Sequence, residues 1–139
     1  MSIARQTRSK GERRVGPHIL VVDDEESILF AMQDYFTSYG CTVDCARELE
    51  EAQALLSNIR YNLVLCDLRL SGIHSAEGLD LVSFVRERVP DTKVVMLTAY
   101  GSPEIQGEAY RRGVDAFLLK SRPLAEVAYV AMRTLRVSA

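Results

Sequence analysis

From residue 17 onward, short apolar runs alternate with amphipathic stretches. The apolar runs lie near 18–23, 41–45, 62–67, 93–98 and 114–119. Each is bounded by polar, Gly or Pro positions, as strands are. The stretches between them follow a helical period. Residues 26–39 place Ile28, Leu29, Met32, Tyr35, Phe36 and Tyr39 close to 3.6-residue spacing, and Gly40 follows as a stop signal. Residues 48–59 carry Leu49, Ala52, Leu55, Leu56 and Ile59, and residues 77–88 carry Leu81, Val82 and Val85 with Pro90 beyond. Residues 103–112 open on Ser102-Pro103, an N-cap and first-turn pair, and close at Gly113. Residues 123–136 open on Pro123 and carry Leu124, Val127, Ala128, Ala131 and Leu135.

This pattern predicts five repeats of strand then helix. The strands are near-continuous apolar runs, which a sheet needs only when both of its faces are covered. The predicted class is α/β: a doubly wound parallel sheet with helices on both faces. The fourth helix is the thinnest. It offers Ile105 and Ala109 to a core and holds Gly107 inside, which costs roughly 0.5–1 kcal/mol relative to Ala. A helix held so lightly is easily displaced.

At 139 residues the chain is the size of one domain. A net charge of −2 is too small to argue for nucleic acid or a membrane as main partner, and no apolar run has the length of a bilayer span. Residues 1–16 are set apart as a flexible basic tail with Arg5, Arg8, Lys10, Arg13 and Arg14, leaving 17–136 as the domain. No signal-peptide core begins the chain, so a cytoplasmic location is expected. Cys41, Cys45 and Cys66 form no Cys-x-x-Cys pair and read as reduced thiols in or beside strands.

The chemistry gathers where the strands end. The first run ends in Asp23-Asp24, the third in Asp67, the fourth in Thr98, and Lys120 follows the fifth. In a parallel sheet all of these emerge at one edge, where open α/β sheets bind ligands. Three carboxylates brought together repel unless a proton or a cation intervenes, and an oxygen-only cluster suits Mg²⁺. The pair alone also fits an acidic first turn of the next helix. Thr98 and Lys120 tip the balance, since a hydroxyl donor and an ammonium are what the oxygens of a phosphoryl group on Asp67 would need.

Four segments carry a resemblance: Ile19-Leu20-Val21-Val22-Asp23-Asp24, Leu63-Val64-Leu65-Cys66-Asp67-Leu68, Val95-Met96-Leu97-Thr98-Ala99-Tyr100, and Gly113 to Lys120. Together they resemble the receiver domain of two-component response regulators over about residues 17–136. The resemblance implies the flavodoxin-like strand order 2-1-3-4-5, for which the chemotaxis receiver is a standard example. It implies Asp67 as phosphoacceptor from the phosphohistidine of a histidine kinase or phosphotransfer protein. It implies Mg²⁺ ligated by Asp24, Asp67 and the Arg69 carbonyl, with Asp23 acting through a water. Thr98 and Lys120 would meet the phosphoryl group, and Phe117 falls at the aromatic switch position. The switched surface would be formed by 98–136, with a homodimer or output domain contacting 103–136. The domain would then be a signalling phosphoacceptor, not an enzyme, without direct nucleic-acid or membrane binding.

The chain departs from the family pattern in three places. Leu70-Ser71 stands where Met-Pro is common. The glycine usually eight residues past the acceptor is here Gly78, three later, which implies a lengthened loop over 71–77 with His74 as a solvated member. Ser121-Arg122-Pro123 replaces the usual Lys-Pro step. Other classes fit less well. An aspartyl-phosphate phosphatase needs an acid two residues past its nucleophile, where this chain has Arg69. No phosphate-binding glycine loop follows the first strand, as a nucleotide-binding module would require. A receiver fold used only as a constitutive interaction domain would not need the full acidic set. By position, Arg69 and Tyr100 flank the acceptor and could screen it.

Overall fold

A computed structural model of the protein describes residues 16–70 and 76–136. The elements are β1 (His18–Val22), α1 (Glu26–Ser38), β2 (Thr42–Ala46), α2 (Leu49–Asn58), β3 (Leu63–Cys66), α3 (Glu77–Arg88), β4 (Lys93–Thr98), α4 (Pro103–Arg112), β5 (Ala116–Leu119) and α5 (Leu124–Arg136). All five strands are parallel, in the order β2-β1-β3-β4-β5. The predicted elements are thus all present, with small shifts at their ends. The basic tail, apart from Gly16, and His74 lie outside the described residues, as does most of the 71–77 loop.

Strand alternation sorts the core into two layers. Leu20, Val22, Val64, Cys66, Val94 and Met96 face α2, α3 and α4. Their neighbours Ile19, Val21, Leu63, Leu65, Val95 and Leu97 face α1 and α5. Every one of these twelve side chains is at most 1% exposed. A two-residue period buried on both sides is what makes the runs read as continuously apolar.

The largest boundary shift has a local cause. β5 begins at Ala116, not at Val114, because the Asp115 carboxylate takes the Val94 N–H at 2.8 Å and the Arg86 guanidinium at 2.9 Å. Arg86 also donates to the carbonyls of Gly113, Pro90 and Thr92. These bonds pin the C-terminal end of α4 to α3 and the foot of β4. At the other end of α4, Ser102 caps the Ile105 N–H at 3.2 Å, and only Ala109 is fully buried along the helix. No Cβ added at Gly107 would meet anything within 4 Å, so its packing does not demand a glycine.

Candidate phosphoacceptor site

Asp23, Asp67 and Lys120 each sit one residue past a strand, yet their backbone N–H groups stay in the sheet ladder. Asp23 donates to the Ala46 carbonyl (3.0 Å), Asp67 to Val22 (3.0 Å) and Lys120 to Thr98 (2.8 Å). The side chains can therefore leave the pleat while the backbone remains fixed. Asp23 is 2% exposed, Asp67 6%, and Thr98, the last residue of β4, is fully buried. Asp24 is exposed at the rim.

Carboxylate oxygens of Asp23, Asp24 and Asp67 lie within 4.8 Å of one another. Lys120 reaches into this group from the end of β5. Its Nζ is 2.9 Å from Asp23 Oδ2 and 3.2 Å from Asp67 Oδ2. The structure therefore brings the sequence-predicted carboxylates, hydroxyl and ammonium to one place. Arg69 is there too: its backbone N–H and the Thr98 hydroxyl both favour the ionised form of the Asp67 carboxylate. The Thr98 oxygen in turn accepts the Tyr100 N–H at 3.2 Å.

The electrostatics follow from crowding and burial. Asp23 is pushed up to about 6, mainly by burial and further by the Asp67 charge, against the Glu25 N–H and Lys120. Burial also raises Asp67, although Lys120, the Arg69 N–H and Thr98 work to keep it ionised. Burial alone would lower Lys120, but hydrogen bonds to Glu25 and Asp23 and the charges of Asp23 and Asp67 hold its ammonium above its ordinary range. This donor set fits a hard divalent cation. It is all oxygen, close enough for one ion, and holds more negative charge than Lys120 alone can offset.

Arg69 and Tyr100, placed by sequence position alone at the flanks, form one unit. The Arg69 guanidinium stacks 3.6 Å from the Tyr100 ring centroid. Phe117 is half-buried, and its ring borders the loop after β4, where a Cβ on Gly101 would come within 3.2 Å of it. The Lys120-Ser121-Arg122-Pro123 segment contains no cis bond, and it turns instead through an Arg122 N–H to Leu119 carbonyl bond of 3.1 Å.

Two residues escaped the sequence reading. Glu25 lies 2.6 Å from Lys120 Nζ, nearer than either aspartate. Its only sequence signal was membership of the acidic run Asp23–Glu26, which also suits a helix start. Gly78 appeared only as a displaced landmark. In the structure a Cβ there would lie 2.2 Å from the Asp67 carbonyl oxygen and 2.7 Å from Leu68 Cα. Gly78 lets the first turn of α3 press on the backbone that carries Asp67, and its N–H bonds the Leu68 carbonyl at 2.9 Å.

A doubly wound sheet of order 2-1-3-4-5 with an acidic cluster and a lysine at its carboxyl edge defines the receiver class. The model of the response regulator receiver domain family matches residues 19–130, and the chain belongs to that family. It is 34% identical over 118 residues to response regulator protein PilR of Pseudomonas aeruginosa, covering 85% of this chain but 26% of that protein. The chain thus spans about a quarter of that relative's length. A receiver domain protein from Methanospirillum hungatei superposes with a TM-score of 0.79 at 28% identity, covering 86% of this chain and 93% of that one. A Burkholderia pseudomallei response regulator solved with a phosphorylated aspartic acid and a calcium ion gives 0.75 at 25% identity, over 84% and 66% of the two chains. The protein is therefore a receiver domain of the two-component type. No helix among the described residues is long and apolar enough to cross a membrane.

Proposed function

We propose that Asp67 accepts a phosphoryl group from the phosphohistidine of a histidine kinase or phosphotransfer protein. The observation that carries this reading is the convergence of Asp23, Asp24, Thr98 and Lys120 on one buried carboxylate. An Asp67 oxygen forms the new bond to phosphorus as the phosphorus–nitrogen bond breaks and its electron pair leaves with the imidazole. Lys120 is placed to donate to a phosphoryl oxygen, as it now donates to Asp67. Thr98 can exchange the carboxylate for a second phosphoryl oxygen. Asp24 and Asp67, with the Arg69 carbonyl, would hold Mg²⁺, and Asp23 would act through a water. The ion would supply charge neutralisation for the transferring group. The three free thiols suit a reducing cytoplasm.

The switched surface is assigned to residues 98–136. α4 is pinned at its C-terminal end by Arg86 but buries little at its N-terminal end, so a rearrangement near Thr98 and Phe117 moves that end most. Full burial of Phe117 would contribute on the order of 1–3 kcal/mol, enough for a population shift of tenfold or so. A kinase would be met at the site, and an output domain or second copy at 103–136. Acetyl phosphate with Mg²⁺ should phosphorylate the protein, while chelation or Asp24→Ala should abolish the reaction. Amide exchange on the phosphorylated form should change in α4 and β5. Phosphorylation that persists without the cation would overturn the metal assignment, and exchange changes confined to 26–59 would overturn the surface.

The stacked Arg69–Tyr100 pair suggests control of phosphoryl lifetime. The Arg69 backbone N–H acts on the Asp67 carboxylate and the Tyr100 N–H donates to Thr98 Oγ1, so the pair can limit water access to the acyl phosphate. Arg69→Ala and Tyr100→Ala are each expected to shorten the lifetime several-fold, as followed by loss of the phosphorylated mass. Unchanged decay in both variants would remove the pair from this role.

A further inference from the structure

The most exposed member of the Lys120 ion cluster is also its closest partner. An ammonium has three N–H donors. Here they face Glu25 at 2.6 Å, Asp23 at 2.9 Å and Asp67 at 3.2 Å. The order is the reverse of what phosphoryl chemistry at Asp67 would favour. The tightest contact is to a residue that is neither acceptor nor proposed cation ligand, and the longest is to the acceptor.

Glu25 gains little from a structural role at this position. It is the N-cap of α1, yet its side chain makes no cap hydrogen bond. Glutamate is not among the favoured N-cap residues. Its backbone N–H donates to Asp23 Oδ1 at 2.9 Å, which fixes its Cα one step from the site. From there the side chain, 56% exposed, spans to a lysine 95 residues away in sequence. A divalent cation and the Lys120 ammonium together balance Asp23, Asp24 and Asp67. Glu25 is then one negative charge in excess, at the mouth through which an anionic phosphoryl group must enter.

We infer that Glu25 is a positioning residue that tethers Lys120 toward the rim and restrains phosphoryl binding at Asp67. The inference rests on the phosphoacceptor reading above. Glu25 competes with the incoming oxygens for the ammonium and repels them directly. Charges a few ångströms apart at a partly exposed site are worth a several-fold change in rate or affinity.

The test compares the wild type with Glu25→Gln, which keeps shape and removes charge, and Glu25→Asp, which keeps charge at the rim. Two quantities are read in Mg²⁺ buffer: the acetyl phosphate rate constant and the dissociation constant for beryllofluoride, a phosphoryl analogue. Glu25→Gln should speed transfer about three- to tenfold and tighten beryllofluoride binding by a similar factor, with Glu25→Asp lying nearer the wild type. The wild-type rate should also rise more steeply with ionic strength than that of Glu25→Gln, because part of the repulsion has gone; a mere helix-start role would leave that slope unchanged. A Glu25→Gln variant equal to or slower than wild type, or indistinguishable from Glu25→Asp, overturns the inference alone. A wild type that neither gains a phosphoryl group nor binds beryllofluoride overturns the underlying phosphoacceptor reading.

Discussion

Lys120→Ala is expected to slow phosphoryl transfer to Asp67 by about 10²- to 10³-fold, the usual cost of losing one preorganised donor to a developing anion. The same change should destabilise the cation-free protein. Lys120 is 13% exposed and joins carboxylates on the ends of β1 and β3. Removing one partner of a buried ion pair costs roughly 3–5 kcal/mol. The rim is partly solvated, so about 2–3 kcal/mol is the figure expected here at pH 8. The loss should shrink at lower pH. Asp23 has a folded pKa of about 6, above its unfolded value, so its penalty on the folded state is present above that pH and fades as the group takes up its proton. Mg²⁺ should restore most of the stability without restoring the transfer rate. Urea unfolding at pH 5.5 and pH 8, with and without Mg²⁺, checks this. A variant as stable as the wild type at pH 8 without cation would show that the carboxylates do not depend on Lys120.

The second large effect is expected from a single methyl group. Gly78→Ala puts a Cβ against the backbone of Asp67 and Leu68, where no flexible side chain can move aside. Either α3 shifts outward or the end of β3 that carries Asp67 moves. Overpacking of this kind costs about 1–3 kcal/mol when side chains can adjust, and a backbone collision should lie at or above the top of that range. Because the strained atoms belong to Asp67 itself, phosphorylation should fall at least tenfold. Gly107→Ala is the matched contrast. Its Cβ meets nothing, and the change should stabilise α4 by about 0.5–1 kcal/mol. Equal unfolding midpoints for the two variants would contradict the assigned role of Gly78.

The sequence made the fold legible because local and long-range signals agree. Apolar runs buried on both faces, the Ser102-Pro103 start and the Gly113 stop each follow from backbone chemistry that needs no knowledge of the rest of the molecule. Asp23, Asp67, Thr98 and Lys120 could be grouped because parallel strands deliver their ends to one edge. What stayed hidden depends on geometry between distant segments. The start of β5 moved because an Asp115 carboxylate replaces a ladder bond. Gly78 matters through the angle at which α3 meets β3, which no local pattern encodes. Glu25 was indistinguishable from Glu26 in sequence, yet only Glu25 pairs with Lys120, while Glu26 meets Arg47 at 3.6 Å.

The central claim is that Asp67, and no other residue, takes the phosphoryl group. Intact-mass measurement after incubation with acetyl phosphate and Mg²⁺ tests it most directly, on wild type and Asp67→Asn side by side. The wild type should gain the mass of one phosphoryl group and lose it again on standing, and Asp67→Asn should gain none. An equal gain in Asp67→Asn would place the acceptor elsewhere and contradict the account.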